Sequence, residues 1–237
     1  MRITTLETGG YRPSALAMRL PMKSGEKSDS AYCMHRWRDM DETPLCKYCP
    51  MAKRSLGFKD GFEPAPIFEC TQTKEYQPYF VIGPKDHELS MKLIRAGSDH
   101  RKHIRQIVVW AEIEAPLYLW KEFDTYRMGV EKVSESTMHT FKNGPVKFED
   151  FELEGWDNIY VMQFLEYIER HRKTDGIDEL SKFIPMSYKQ KRDVMMSYEA
   201  LHAMYHARKN HKLPEWHEFC RWCETLPYSE FITGEDR

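Results

Sequence analysis

The stretch "EAPLYLWKEFDTYRMG", residues 114–129, decides how the fold is read, because it resembles the start of a buried helix. Pro116 is well placed as the first helical residue, where its missing N–H needs no partner. Four residues follow at helical spacing on one face: Leu119, Trp120, Phe123 and Arg127. The spacing predicts a helix over 116–128 whose apolar stripe ends in an inward-facing arginine.

The sequence before this helix favours strands. "RQIVVWAEI" (105–113) is rich in β-branched and aromatic residues, which fit a pleated and half-buried surface. Residues 1–8 are predicted as a further strand, and "YFVI" (79–82) as a short one.

The sequence after the 116–128 helix favours further helices. Amphipathic patterns predict one helix over 156–174, a long one after a break at Pro185, and one between the prolines of "LPEWHEFCRWCETLP" (213–227). The long helix carries an apolar stripe at steps of four, three and four, formed by Val194, Tyr198, Leu201 and Tyr205. The next position on this stripe is Arg208. The strands and helices together predict a single α+β domain, dominated by helices toward the C-terminus.

Two inward arginines, Arg127 and Arg208, require counter-charges, because burying a guanidinium alone is very costly. A third basic feature, "SDHRKHIRQ" (98–106), precedes the 105–113 strand. Arginine grips phosphate in a bidentate fork, so these features favour a phosphate site. The alternative is pairing with internal carboxylates, since ion-pair networks also produce buried arginines. Candidate carboxylates for that pairing are Glu122, Asp124 and Glu131.

Composition bounds the class of protein. The 237 residues suffice for one large domain with a core or for two small ones. A net charge of −2 argues against a protein that grips nucleic acid through phosphates. No apolar run approaches the roughly 20 residues of a membrane helix, and the N-terminus has no apolar signal core. We therefore expect a cytoplasmic protein with neither membrane nor nucleic-acid partners.

The cysteines of a cytoplasmic protein are more often thiols or metal ligands than disulfides. A segment at about 31–57 holds a C-x-x-C pair with a further cysteine and a histidine upstream, a donor set that suits structural zinc. The candidate ligands are Cys33, His35, Cys46 and Cys49. Cys70 could replace His35, and buried free thiols are the alternative. Cys220 and Cys223 are expected in the core, with a four-cysteine site alongside Cys46 and Cys49 as the other option.

The order of these features resembles the flavin-dependent thymidylate synthases over about residues 95–225. "HRKHIRQ" (100–106) stands where that family has a histidine stretch, and "VVWAEIEAPLYLWKEF" (108–123) resembles its strand and helix start. "TYR" (125–127) keeps the third residue of the family's R-H-R, and "SES" (134–136) lies near a serine of the same motif. Arg208 falls on the family's nucleotide-binding arginine.

Several residues depart from the family pattern. Thr125 and Tyr126 replace an arginine and a histidine of the family. On the long helix, polar residues that contact flavin in the family are replaced by Ser197, Glu199 and Ala203. These departures favour an alternative, a non-catalytic nucleotide-binding relative that has lost flavin chemistry. A further alternative is a zinc-stabilised binding protein.

The resemblance implies a fold and a reaction. The fold is one domain over 1–237, with an antiparallel sheet flanked by long helices and the Cys/His segment as an insert. The reaction transfers a one-carbon unit from methylenetetrahydrofolate to C5 of dUMP or a related pyrimidine nucleotide, with hydride from FAD that NADPH reduces. The resemblance also implies a homotetramer whose subunits share sites.

The resemblance assigns site residues as well, but no catalytic side chain. The implied nucleotide-binding residues are Arg127, Ser134, Ser136 and Arg208. The implied cofactor-binding residues are His100, Arg101, Lys102 and Arg105.

Overall fold

The structure is a computed structural model that describes residues 1–33, 79–143, 145–153, 159–171 and 181–234. The predicted zinc ligands His35, Cys46 and Cys49 lie outside these residues, as do Cys70 and most of the insert expected at about 31–57. Cys33 ends a described strand, but its side chain is outside the description. The zinc site therefore stays a prediction.

The described chain contains strands and helices that we number in order. The strands are β1 (Arg2–Gly9), β2 (Ala31–Cys33), β3 (Tyr79–Val81), β4 (Val108–Pro116), β5 (Val130–Ser134) and β6 (Lys189–Ser197). The helices are α1 (Tyr11–Arg19), α2 (Pro84–Arg95), α3 (Leu117–Phe123), α4 (Thr137–Asn143), α5 (Ile159–His171), α6 (Tyr198–Arg208), α7 (Pro214–Thr225) and α8 (Glu230–Thr233). Short 3-10 turns connect several of them, among them Arg101–Gln106 and Gly25–Lys27.

The strands form two sheets. One has four strands in the order β1-β4-β6-β5, and the other pairs β2 with β3. The β2–β3 pair is antiparallel, with Ala31 opposite Val81 and Tyr32 opposite Phe80. The expected α+β class, with an antiparallel sheet and long helices, is confirmed. None of the described helices is long and apolar enough to cross a membrane.

Strand β4 and helix α3 confirm the elements predicted around Pro116. Alternate β4 residues are fully buried, as a period of two requires: Val109, Ala111, Ile113, Ala115. Helix α3 buries the predicted stripe through Leu119, Trp120 and Phe123.

The predicted extension of α3 to residue 128 is wrong. The helix ends at Phe123, the Thr125 hydroxyl donates to the Glu122 carbonyl at 2.7 Å, and Gly129 adopts a left-handed φ of 71°. The side chain of Arg127 is exposed beyond the helix rather than inward.

The helix predicted directly after Pro185 is also wrong in its first half. Residues 189–197 form β6, and Val194 of the predicted stripe is a buried strand residue. Helix α6 begins at Tyr198, because the Ser197 hydroxyl accepts the backbone N–H of Ala200 at 3.2 Å and caps the helix. Beyond that cap the prediction is confirmed, with Leu201 and Tyr205 buried and Arg208 in the last turn.

The described residues divide into two compact units. The first comprises Met1–Thr4 and Trp110–Met195, and the second comprises Thr5–Val109 and Met196–Arg237. Strands β1, β4 and β6 each contribute residues to both units. The assignment of residues 1–237 to one domain stays a prediction.

Each unit has an apolar core. The first unit has a cluster of buried residues between α4, α5 and the chain before β6: Phe141, Val146, Phe151, Val161, Ile168 and Tyr188. The second unit buries large side chains of α6, α7 and α8 completely: Tyr198, Trp216, Phe219 and Phe231. Burying one such side chain contributes about 1.5–3 kcal/mol, so these clusters hold the helices in place.

A buried carboxylate organises the start of the second unit. Asp86, in the first turn of α2, is fully buried and accepts hydrogen bonds from the Arg19 guanidinium and from the hydroxyls of Ser28 and Ser30. The neighbouring Asp29 carboxylate accepts the backbone N–H groups of Lys85 and Asp86 at 2.9 and 3.1 Å. The loop before β2 thereby satisfies donors that the N-terminus of α2 leaves free.

We expect Asp86→Asn to lower the free energy of unfolding by about 3–5 kcal/mol, because Arg19 would stay buried without a counter-charge. Urea denaturation followed by circular dichroism measures the change. Glu88→Gln is the matched control, since Glu88 is exposed on the same helix and pairs with Lys92 across one turn. Equal effects of the two substitutions would contradict the importance of the buried pair.

Candidate functional site

The basic segment identified in the sequence forms a turn between α2 and β4. Gly97, with a left-handed φ of 108°, follows the end of α2, and residues Arg101–Gln106 make a 3-10 turn. His103 and Ile104 anchor this turn because both are buried, with the His103 Nε2 atom 2.7 Å from the Ser90 hydroxyl. The other basic side chains of the turn point outward: His100, Lys102 and Arg105 are exposed.

Arg101 differs from the other predicted cofactor residues because it is paired. Its Nε atom lies 3.1 and 2.9 Å from the two carboxylate oxygens of Glu199, in the first turn of α6. Both side chains are largely buried, at 19% and 16% exposed. The pair connects the basic turn to α6 and offsets the charge that Arg101 would offer to an anion.

Two buried histidines beside this pair are neutral at physiological pH. Burial, followed by the charges of Arg101 and His206, lowers the pKa of His202 to about 4. Burial likewise lowers the pKa of His103 to about 4. The rings of His202 and His206 lie 4.4 Å apart between centroids. The positive charge at this end of the second unit therefore comes from the exposed side chains.

Arg208 lies over a buried indole. Its guanidinium carbon is 4.6 Å from the ring centroid of Trp216, which is fully buried in α7. A guanidinium stacked on an aromatic face is held in plane with its N–H groups pointing outward, the arrangement that bidentate recognition of phosphate requires. The role of Trp216 in supporting Arg208 was not predicted from the sequence.

The other predicted nucleotide-binding residues belong to the first unit. Ser134 ends β5, and Ser136 accepts the His139 backbone N–H at 3.5 Å at the start of α4; both side chains are exposed. The carboxylate of Glu135, between them, accepts the Lys191 backbone N–H at 3.1 Å. A phosphate at the two serines would lie close to this negative charge. Arg208 lies in the second unit.

Asp124, one of the three carboxylates proposed as internal partners for the arginines, is paired with other cations. Arg192 donates to Asp124 at 2.9 and 3.1 Å, and Lys132 lies 2.9 Å from the same carboxylate. Burial raises the pKa of Asp124, but these hydrogen bonds and charges outweigh burial and lower the pKa overall. The Arg192 guanidinium also stacks 4.2 Å from the Trp120 ring. This cluster was not predicted from the sequence, because Arg192 lies 68 positions from Asp124.

Within the described part of the chain, no group of three or more histidine, cysteine, aspartate or glutamate side chains could hold a metal ion. Cys220 and Cys223 are buried free thiols in α7, as the core prediction expected. Burial raises the pKa of Cys220 to about 11, so its thiol is unreactive near neutral pH.

The chain shares its fold with flavin-dependent thymidylate synthases. Two structures of Thymidylate Synthase X (ThyX) from Helicobacter pylori, both with FAD and dUMP, superpose with TM-scores of 0.64 and 0.63 at 15% identity. Each match covers 100% of this chain, and 98% and 99% of the respective ThyX chains. PolB from Streptomyces cacaoi, a UMP/dUMP methylase bound with 5-Br dUMP, matches with a TM-score of 0.55 at 9% identity over 98% of this chain and 94% of PolB. No model of a protein family and no curated protein matches the sequence.

We expect the free energy of unfolding to fall as the pH is lowered from about 6.5 toward 5. The two buried histidines have folded pKa values of about 4, whereas histidines of an unfolded chain protonate near 6.5. In that window the unfolded state binds more protons, and each histidine contributes a slope of at most about 1.4 kcal/mol per pH unit. Urea denaturation at several pH values measures this slope.

The matched variants are His202→Gln and His100→Gln. His202→Gln should make the slope shallower, because it removes one buried titrating group, while His100→Gln should leave it unchanged because His100 is exposed. A slope that is the same in both variants would show that His202 is not the titrating group.

Proposed function

We propose that this chain is a divergent flavin-dependent thymidylate synthase-like enzyme. It binds dUMP or a related pyrimidine nucleotide and transfers a one-carbon unit from methylenetetrahydrofolate to C5 of the base, with FAD as cofactor and NADPH as reductant. The observation that carries the proposal is the fold shared over the whole chain with ThyX structures that hold FAD and dUMP. The likeness to PolB, a UMP/dUMP methylase, supports the same nucleotide class.

Arg208 is the proposed contact to the nucleotide phosphate. The guanidinium is half-buried at the last turn of α6 and is supported by the Trp216 ring. A stacked guanidinium loses little conformational freedom when it binds, so its hydrogen bonds to phosphate oxygens are strong. Arg127, Ser134 and Ser136 remain proposed as further nucleotide contacts, with the exposed Arg127 offering charge and the serines offering hydroxyl donors.

The positive charge of the basic turn complements the negative charge of the pyrophosphate in a flavin dinucleotide. Within the described residues, the exposed side chains of Lys102 and Arg105 form no ion pair, so their charge is available to an anion, and His100 is exposed beside them. Arg101 supports the turn through Glu199 and contributes less charge. Reduced flavin, when bound, supplies the hydride; the residues of this chain bind and orient the nucleotide and the cofactor phosphates.

A second candidate function is nucleotide binding without flavin. It is favoured by the pairing of Arg101 with Glu199, which neutralises the best-anchored cation of the basic turn. Flavin content of the purified protein separates the two candidates. A yellow protein with flavin absorbance supports the enzyme, and a colourless protein that binds dUMP but takes up no added FAD supports the second candidate. Cytoplasmic location and a homotetramer remain part of the first proposal.

We expect Arg208→Ala to weaken dUMP binding about ten- to a hundred-fold, the loss of one charge-assisted phosphate contact of about 1.5–3 kcal/mol. Isothermal titration calorimetry measures the affinity, and circular dichroism verifies that the variant is folded. Arg208→Lys should be weakened to an intermediate degree, because lysine keeps the charge but loses the fork and the stacking on Trp216.

Lys209→Ala is the matched control, because Lys209 is an exposed cation adjacent to Arg208. Its affinity for dUMP should equal that of the unmodified chain. Unchanged affinity in Arg208→Ala, or a complete absence of dUMP binding by the unmodified chain, would overturn the assignment of Arg208.

FAD binding should fall steeply with salt, because exposed cations provide the attraction and salt screens them. The double reversal Lys102→Glu and Arg105→Glu should abolish binding, since two cations beside the pyrophosphate become anions. Fluorescence titration at low and moderate ionic strength measures the effect. Lys23→Glu with Lys27→Glu changes the same net charge at exposed positions elsewhere in the second unit and should have little effect. If FAD still binds after the charges of Lys102 and Arg105 are reversed, the turn is only a solvated surface.

A further inference from the structure

We infer that a cleft at the start of α1 binds a small planar aromatic anion. The cleft has a volume of about 650 Å³, within the range of small-molecule sites, and is shallow and open to solvent. It lies within the second unit, between the end of β1, the first turns of α1 and the β2–β3 pair. The cleft shares no residue with the sets proposed above for the nucleotide and the flavin.

The walls of the cleft are apolar and aromatic. Tyr32 and Phe80 face each other across the β2–β3 pair, with ring centroids 5.2 Å apart and the rings nearly perpendicular. Tyr32 is 48% exposed, and Leu16 of α1, which also lines the cleft, is 55% exposed. Adjacent large apolar side chains left in water at a concave surface are typical of a binding site. These walls suit a flat aromatic ring.

One cation sits at this aromatic wall. The Arg12 guanidinium lies 5.9 Å from the Tyr32 ring centroid, and its side chain is exposed. Arg12 forms no ion pair with any described residue, so a bound anion could take that place. Guanidinium groups recognise carboxylate and phosphate through paired N–H donors while lying against aromatic faces. Thr8 adds a hydroxyl to the lining. The ligand is therefore a ring that carries a negative group.

The cleft is preformed by the backbone around it. Gly10 precedes α1 with a left-handed φ of 87°, and a Cβ atom there would lie 1.8 Å from the Gln106 carbonyl oxygen. This close approach fixes the direction in which α1 starts and so the position of Arg12. The register of β2 with β3 fixes Tyr32 and Phe80 in the same way. A site that is already ordered binds without a large loss of conformational freedom.

The test uses 2-naphthoate and its uncharged analogue 2-naphthamide as probes on the full chain. Fluorescence titration should show saturable 2-naphthoate binding in the millimolar range or tighter, about tenfold stronger than 2-naphthamide, since only the carboxylate meets Arg12. Addition of dUMP should not displace the probe. No binding at millimolar concentration, equal affinity for the two probes, or displacement by dUMP would overturn the inference.

Three exposed positions locate the binding. Arg12→Gln should reduce 2-naphthoate affinity to that of 2-naphthamide without changing the latter, because only the charge interaction is lost. Leu16→Ser should weaken the binding of both probes. Because Leu16 is exposed, the fold tolerates the substitution. Lys27→Gln, an exposed charge removal in the Gly25–Lys27 turn, should change neither affinity. An unchanged 2-naphthoate affinity in Arg12→Gln would place the probe elsewhere.

Discussion

The buried pair of Asp86 and Arg19 is the interaction on which the second unit depends. A fully buried carboxylate is stable only when its oxygens are satisfied, and here a guanidinium and two serine hydroxyls satisfy them. The partners come from the end of α1 and from the loop before β2, so one side chain of α2 connects to two segments that lie 56 to 67 positions earlier in the chain. Ser30 also accepts the Gly83 backbone N–H at 3.0 Å, which extends the same network to the chain entering α2.

Helix α2 also helps to position the candidate flavin-binding residues. Ser90 of α2 contacts His103, and His103 anchors the turn whose exposed side chains are the proposed cations. Arg101 continues the connection to α6 through Glu199, and α6 ends in Arg208 on the Trp216 ring. The cations available to ligands are thus presented by a scaffold of neutral histidines, paired charges and buried aromatic residues. The protein therefore has a low net charge, although positive charge is concentrated at these exposed side chains.

The sequence predicted the elements whose local signals agree with their surroundings. The β-branched and aromatic residues of β4, the proline before α3 and the amphipathic pattern of α5 each specify one structure. Strand β6 was missed because "KQKRDVMMS" is rich in residues with weak strand preference, while the spacing of Val194 and Tyr198 also fits a helix. Its neighbours in the sheet, β4 and β5, supply the hydrogen bonds that decide the matter. The partners of Arg101 and Asp124 could not be predicted, since Glu199 and Arg192 lie 98 and 68 positions away.

The antiparallel register of β2 and β3 has a consequence for how this sequence could be rearranged. Cys33 and Tyr79 are direct partners across the pair, so the two ends of the segment between them lie at neighbouring points. Whatever length of polypeptide joins those two residues, its ends are already as close as the ends of a tight turn. Insertions and deletions between Cys33 and Tyr79 therefore change the length of a segment whose two ends the β2–β3 pairing already holds together. The same junction offers a place to graft a foreign domain, with the geometry of its attachment set in advance.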